Sequence, residues 1–134
     1  MNNSHLTKLL AEFKRNCSAP ELTIQAAADA LKTSLPRDFA AFLGTTNGGE
    51  GMVGDTYVML WRAEELADMN LAYQVEEYAP GLLLIGSDGG GEAFAFDTRT
   101  SPWPVVKVPF VGMDVRYVKI LGQSFDEFLH ALAG

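Results

Sequence analysis

The chain has 134 residues, of which 48% are hydrophobic and 20% are charged, and its net charge is -7 at pH 7. This balance excludes an intrinsically disordered chain, and at this length we expect residues 1–134 to form a single domain. An acidic surface without a cluster of lysines and arginines repels phosphate backbones, so we expect no nucleic acid among the partners.

The cysteine count and the apolar runs indicate a cellular compartment. The single cysteine, Cys17, excludes a disulfide within the chain and a zinc site built from several cysteines, and it suits a reducing cytoplasm. The N-terminal segment MNNSHLTKLLAEFKRN is interrupted by charges and lacks the apolar centre of a signal peptide. Apolar runs such as residues 82–85 are far shorter than the roughly 20 residues that cross a bilayer. We therefore expect a cytoplasmic protein that does not bind membranes.

The N-terminal part of the chain predicts three amphipathic helices, because its apolar residues recur at the spacing of a helical stripe. Ser4 and Thr23 can cap the first two helices, and Pro36 can open the third. The three stripes consist, in order, of Leu6, Leu9, Leu10 and Phe13, of Ile24, Ala27, Ala28 and Leu31, and of Phe39, Phe42 and Leu43. The third helix is expected to end near Gly44, ahead of the turn residues Asn-Gly-Gly.

The middle of the chain predicts one strand followed by one helix. Residues 53–61 alternate between two faces, as in a strand, with Tyr57, Met59 and Trp61 on the same face. Residues 62–78 have a helical pattern that ends before the Pro-Gly pair.

The stretch IGSDGGGEAFAFDT predicts a hairpin. Residues 82–86 and 92–97 form its two strands, and the three consecutive glycines allow the turn between them. Phe94 and Phe96 alternate and therefore point to one face, which we expect to be the core. Asp88 and Glu92 remain at the tip of the hairpin.

The C-terminal third predicts two more strands and a helix. The strands are expected over residues 105–110 and 115–121, and the prolines at both ends of the first should place it at an edge of the sheet or shorten it. Ser124 and Glu127 form a capping box that opens the last helix. This order of elements predicts an α+β fold, in which a mainly antiparallel or mixed central sheet packs with N-terminal, middle and C-terminal helices.

No motif for catalysis or cofactor binding is present. The glycine turn lacks the lysine of a phosphate-binding loop, and it opens a strand instead of a helix. Its acids are too few and wrongly spaced for a calcium loop, and His5 and His130 lie near opposite termini without the spacing of a zinc site or a catalytic triad. We therefore expect no catalytic residue, no metal site and no cofactor.

Aromatic and acidic residues without an evident role in the core are the candidates for contacts with a partner. Tryptophan is enriched among the few interface residues that contribute most of the binding energy. Alternatively, the tryptophans close the edge of the core and the acids only solubilise loops. The candidate partner-binding residues are Glu50, Asp55, Trp61, Asp88, Glu92 and Trp103.

Four segments together resemble the SUKH superfamily, which includes Smi/Knr-type regulators of cell-wall assembly and bacterial toxin-immunity proteins. In chain order they are LPRDFAAFLGTTNGG, WRAEELADMNLAY with Asn70, GLLLIGSDGGGEAFAFDTRT and SFDEFLHAL. The resemblance covers roughly residues 24–132. Ala28 departs from it, because members often carry glutamate at that position.

The resemblance implies a SUKH-like α+β domain and a protein-binding role without enzymatic activity. It implies most directly an immunity-type protein that binds and neutralises a toxin domain, and the net negative charge favours a basic toxin as the partner. The alternative is a regulatory or scaffold protein of cell-wall assembly. The sequence does not identify the partner, the binding face or the oligomeric state.

Overall fold

The computed structural model describes residues 10–134, and these form a seven-stranded antiparallel sheet with five helices. The strands lie in the sheet in the order in which they occur in the chain, so each pairs with the next. They are β1 (Phe13–Arg15), β2 (Gly49–Val53), β3 (Thr56–Leu60), β4 (Leu82–Ser87), β5 (Glu92–Asp97), β6 (Val105–Pro109) and β7 (Lys119–Gly122). The helices are α1 (Glu21–Leu31), α2 (Arg37–Thr45), α3 (Leu66–Ala72), α4 (Val75–Tyr78) and α5 (Phe125–Ala133). The predicted α+β class is confirmed.

One face of the sheet carries the larger core. Phenylalanines from β5 meet phenylalanines from α2 and α5 there, and the ring of Phe39 lies 5.2 Å from that of Phe96 and 5.0 Å from that of Phe125. All three side chains are almost fully buried. Edge-to-face pairs of this kind stabilise a core by about 1 kcal/mol beyond the area that they bury.

The other face carries a smaller core that has no buried phenylalanine. Ala93 and Ala95 alternate with the phenylalanines of β5, so they point to this second face, and Leu82 and Leu84 of β4 belong to the same cluster. Val75 and Ala79, in and just after α4, pack against it. The small side chains of β5 leave room for this short helical segment against the sheet.

The first predicted helix is not supported at its C-terminal end. Its residues 1–9, with Ser4, Leu6 and Leu9, lie outside the described residues, and Phe13 lies in strand β1. Phe13 pairs with Gly51, and a Cβ at Gly51 would lie 2.5 Å from the carbonyl oxygen of Glu12. Close pairing with a glycine-rich strand therefore determines the conformation of this segment, although its apolar spacing favours a helix.

Two predicted elements of the middle region are divided. Val53 ends β2, and the chain turns at Gly54 before β3 begins. The predicted helix over residues 62–78 is broken into a 3-10 turn, α3 and α4, and Gln74 separates the two α-helices with a φ of 53°. This break turns Val75 toward the second face, where it is buried.

Two smaller predictions are also corrected. Helix α1 begins at Glu21, directly after Pro20, and Thr23 does not cap it. Of the two effects expected of the prolines, the edge position is wrong, because β6 pairs with both β5 and β7, whereas β6 does end at Pro109, one residue before the expected end at Phe110. Its two prolines stand at the ends of the ladder, where Pro104 contributes a carbonyl that accepts a hydrogen bond from the Asp97 amide at 3.0 Å.

The C-terminal prediction is largely confirmed. Residues 115–117 form a 3-10 turn instead of the start of a strand, and β7 follows. The Ser124 hydroxyl accepts a hydrogen bond from the Glu127 amide at 3.1 Å and so caps α5. Within residues 10–134, no helix has the length and apolarity needed to cross a membrane.

Candidate functional site

Part of the second face is left uncovered, and we call it the open face. The helical segment at α4 covers β4 to β6, whereas the side chains of β1 to β3 on that face are exposed or half-buried. The register places Lys14 opposite Glu50, Glu50 opposite Met59, and Met52 opposite Tyr57. These five residues form the open face, and the buried Ser87 of β4, which pairs with Met59, borders it. It combines an aromatic ring and two thioethers with one acid and one base.

Tyr57 is the most prominent aromatic side chain of the open face, with 39% of its surface exposed. Its hydroxyl donates a hydrogen bond to the Glu50 carboxylate. That bond requires the phenol proton, and the carboxylate charge opposes a phenolate, so the pKa of Tyr57 is raised above its ordinary value. Glu50 and Tyr57 therefore act as one polar unit on this face.

The glycine turn lies against the open face. A Cβ at Gly89 would lie 3.3 Å from Tyr57 Cδ2 and 3.7 Å from Met59 Sδ, so only a small residue packs there easily. Asp88 holds the turn together, because its Oδ1 accepts hydrogen bonds from the amides of Gly90 at 2.8 Å and Glu92 at 3.1 Å. Asp88 is thus a turn residue as well as an acid beside the open face.

A row of three aromatic rings continues the open face past the end of β3. The ring of Trp61 is stacked on that of Tyr73 at 6.2 Å with an interplanar angle of 8°, and the ring of Tyr73 lies 4.6 Å from that of Phe110. Trp61 and Phe110 are half-buried against the second core, and 39% of Tyr73 is exposed. We call Trp61, Tyr73 and Phe110 the aromatic row.

The structure brings three of the six candidate residues to this region and places the other three elsewhere. Glu50, Trp61 and Asp88 lie on or beside the open face. Glu92 shares the opposite, helix-covered face with the phenylalanines of β5, as its register with Pro109 shows. Asp55 is exposed in the β2–β3 turn, next to Gly54, which packs against the end of α5.

Trp103 belongs to a different part of the surface. Its ring lies 6.0 Å from that of Phe96 and packs against the larger core, and it also lines a separate cleft. Both tryptophans are half-buried against a core. Each therefore closes the edge of a core and also leaves part of its ring accessible to a partner.

The sequence did not mark Tyr57, Met59, Tyr73 or Phe110 as surface residues. The alternation of Tyr57, Met59 and Trp61 was visible as a signal, and it placed the three residues on one face correctly. Which face remains uncovered depends on where α4 packs, and the local pattern does not contain that information.

Two carboxylates away from the open face, those of Asp97 and Glu64, accept short hydrogen bonds that stabilise the fold. Asp97 is buried and accepts two hydrogen bonds from the Arg99 guanidinium, at 2.9 and 2.8 Å, which lower the pKa of the Asp97 carboxyl. The side-chain Nδ2 of Asn47 donates a hydrogen bond to the Glu64 carboxylate at 2.7 Å, and this bond lowers the pKa of Glu64. Among residues 10–134 no group of three or more histidines, cysteines or acids is arranged to hold a metal ion.

The family can be assigned from the part of the chain that contains the sheet and its helices. Residues 18–131 match the family model described as SMI1/KNR4 family (SUKH-1). The chain belongs to this family. SUKH-1 members are generally non-catalytic immunity or regulatory proteins. None of the curated proteins matches this chain.

The match includes all four resembling segments of this SUKH-1 protein except the last residue of the fourth, Leu132, and it leaves β1 outside. Phe13 nevertheless belongs to the larger core and is 5% exposed. Strand β1 thus extends the sheet beyond the matched residues, and it contributes Lys14 to the open face.

Proposed function

We propose that this SUKH-1 protein acts by binding another protein through the open face and the aromatic row, and that it is an immunity-type protein that neutralises a toxin domain. The observation that carries the proposal is the uncovered sheet surface, where Tyr57, Met59 and Tyr73 are accessible on a rigid support. The family match supports a non-catalytic role of this kind.

The side chains of this region suit the centre of an interface. Aromatic residues and methionine bury large area, and tyrosine and tryptophan have few rotatable bonds to immobilise on binding. Trp61 and Tyr73 already stack on each other, so part of that entropy is lost before a partner arrives. Rigid aromatic contacts on a sheet favour a tight complex.

The charge of the molecule favours a basic partner. The net charge is -7, and Glu50 and Asp88 lie on or beside the open face, where Lys14 is the cation of the same face. An acidic inhibitor and a basic enzyme attract one another over about a Debye length, which raises the association rate at low salt. The proposed partner is therefore a basic toxin domain. We place the complex in the cytoplasm, in keeping with the single, exposed Cys17.

The second candidate function is a regulatory or scaffold role in cell-wall assembly, and the matched family, SMI1/KNR4, favours it. It would use the same surface for a different protein. The identity of the partner separates the two functions, since only a toxin complex protects cells from an otherwise lethal protein.

The proposal is tested by co-expression with a toxin encoded beside this gene, followed by binding measurements on the purified pair. We expect rescue of growth by the wild type and its loss in a Tyr57→Ala/Trp61→Ala variant, whose affinity should fall by about 100-fold or more. Tyr117→Ala is the matched control, because Tyr117 is an exposed tyrosine outside the open face.

Three outcomes would contradict parts of the proposal. Equal loss of affinity in Tyr117→Ala and in the Tyr57→Ala/Trp61→Ala variant would show that this surface is not the interface. Rescue that fails with every neighbouring toxin, together with a stable complex containing cell-wall assembly proteins, would favour the second function. Association rates that do not fall as salt rises would exclude a basic toxin as the partner.

A further inference from the structure

A cleft of about 850 Å³ opens where β3 ends, away from the residues of the open face. Strand β3 pairs with β4 only at Gly86 and Ser87, so no strand of residues 10–134 lies beside the first half of β4 on that side. The end of α1, the outer side of α3, the start of α4 and the loop at Trp103 surround the resulting space.

The floor of the cleft is apolar, and the exposed edge of β4 is already hydrogen-bonded. Leu82 and Leu83 lie in the floor, and Trp103 also lines the cleft. The Leu82 amide donates to Ala79 at 3.1 Å, and both backbone groups of Leu84 bond to the side chain of Asn70. An occupant is therefore held by its side chains, since it cannot simply extend the sheet at Leu82 and Leu84.

The polar groups of the cleft lie at its mouth. Gln74, Glu76 and Glu77 are exposed there, and no buried side-chain nitrogen or oxygen within residues 10–134 lacks a hydrogen-bond partner. A site for a small polar metabolite normally turns a few unpaired polar groups inward. The floor of this cleft is apolar and its rim is charged. It therefore suits a ligand in which an apolar side chain is flanked by charged side chains.

The rim has an excess of negative charge. Asp68, Glu76 and Glu77 are exposed acids, and Lys32 is the cation that lines the cleft. The ion pairs of the described residues involve none of these acids. Three carboxylates without a cationic partner among residues 10–134 favour a ligand that brings its own cations.

One further feature of the rim suits a protein ligand. Leu71 lines the cleft and is 78% exposed, so a large apolar side chain is accessible there for contact with an apolar side chain of the ligand. Lys32 and Gln74 also line the cleft, and their positive φ values belong to the helix ends, because Lys32 is the left-handed cap of α1 and Gln74 separates α3 from α4.

We propose that the cleft binds a linear segment of a partner protein that places an apolar side chain between Leu71 and Trp103 and cationic side chains against Glu76 and Glu77. The residues that line the cleft include none of the open face or the aromatic row, although Tyr73 of that row lies between Leu71 and Gln74 in the chain. The proposal does not depend on the function proposed above.

The first test selects ligands from a random linear peptide library displayed on phage, with the whole protein immobilised. We expect selected peptides to combine apolar residues with lysine or arginine. Their affinity should fall by about tenfold or more in Glu76→Lys/Glu77→Lys and in Leu71→Asp. The control Glu21→Lys/Glu127→Lys makes the same change in net charge at exposed acids outside the cleft.

The second test locates the bound peptide directly. The chain has two tryptophans, so a Trp61→Phe variant reports only on Trp103. We expect the selected peptides to shift the Trp103 emission in this variant. The proposal is overturned if no peptide is selected, if the peptides are not basic, if the control weakens binding as much as the cleft variants do, or if Trp103 emission is unchanged at saturation.

Discussion

The side-chain amide of Asn70 bonds to both backbone polar groups of Leu84. Its Nδ2 donates to the Leu84 carbonyl at 2.9 Å, and its Oδ1 accepts from the Leu84 amide at 2.8 Å. Nδ2 also donates to the Leu66 carbonyl at 2.8 Å. In effect, one side chain from α3 replaces the missing strand beside β4 and joins the middle helix to the sheet.

Replacement of this amide should therefore destabilise the whole fold. In Asn70→Ala the two backbone groups of Leu84, a residue with no exposed surface, lose their partners, which should lower the free energy of unfolding by about 2 kcal/mol. Urea denaturation measures the change. Gln25→Ala, which removes an exposed hydrogen bond to Asp29, should change stability by about 0.5 kcal/mol or less. Equal effects in the two variants would contradict this role of Asn70.

The close approach of β3 and β4 at Gly86 gives a second prediction. A Cβ at Gly86 would lie 2.0 Å from the Met59 carbonyl oxygen, and the backbone cannot yield without breaking the short pairing of these strands. Gly86→Ala should lower the free energy of unfolding by about 3 kcal/mol. Gly90→Ala should be nearly neutral, because the closest atom, Asp88 Oδ1, lies 3.5 Å away. Thermal denaturation of both variants checks the contrast, and a stable Gly86→Ala protein would refute it.

Acid should remove the contribution of the Asp97 carboxylate to stability. Because Arg99 lowers the folded-state pKa of Asp97 below the ordinary 3.8, the contribution is present above that value and is lost as the pH falls through the folded-state pKa. Asp97→Asn should be less stable than the wild type by about 1 kcal/mol at neutral pH, a modest value because Arg99 is partly exposed. The difference should disappear in strong acid.

Urea denaturation across this pH range measures the effect of Asp97→Asn. Asp55→Asn is the control, since Asp55 is exposed in a turn, and its stability should follow that of the wild type at every pH. A difference between Asp97→Asn and the wild type that persists unchanged in acid would show that the carboxylate charge is not the cause.

The pair on the open face predicts a change in tyrosine ionisation. Glu50 raises the pKa of Tyr57 by accepting its hydrogen bond and by opposing the phenolate charge. In Glu50→Gln the Tyr57 hydroxyl should ionise at a lower pH than in the wild type. Carbon-13 NMR of the tyrosine rings measures this directly, and Tyr78, an exposed tyrosine, provides the reference. An unchanged Tyr57 titration would exclude the hydrogen bond in solution.

The sequence predicted most reliably those elements whose local pattern agrees with their packing. The hairpin of β4 and β5 has alternating phenylalanines and a glycine turn, and helix α5 has both a cap and a single apolar stripe, so local and tertiary preferences coincide. The predictions were wrong where the two preferences conflict. Phe13 completes a helical stripe in sequence, yet it pairs with Gly51 in β1.

The candidate binding residues illustrate the same division. The amino acids alone indicated an acidic, α+β protein with aromatic residues left for binding, because composition and periodicity are properties of the chain itself. Only the tertiary structure decided that Trp61 joins Tyr73 and Phe110, that Glu92 lies on the opposite face, and that Trp103 lines a separate cleft. The physical reason is that a surface is whatever the packed helices leave uncovered, and that depends on contacts between residues far apart in sequence.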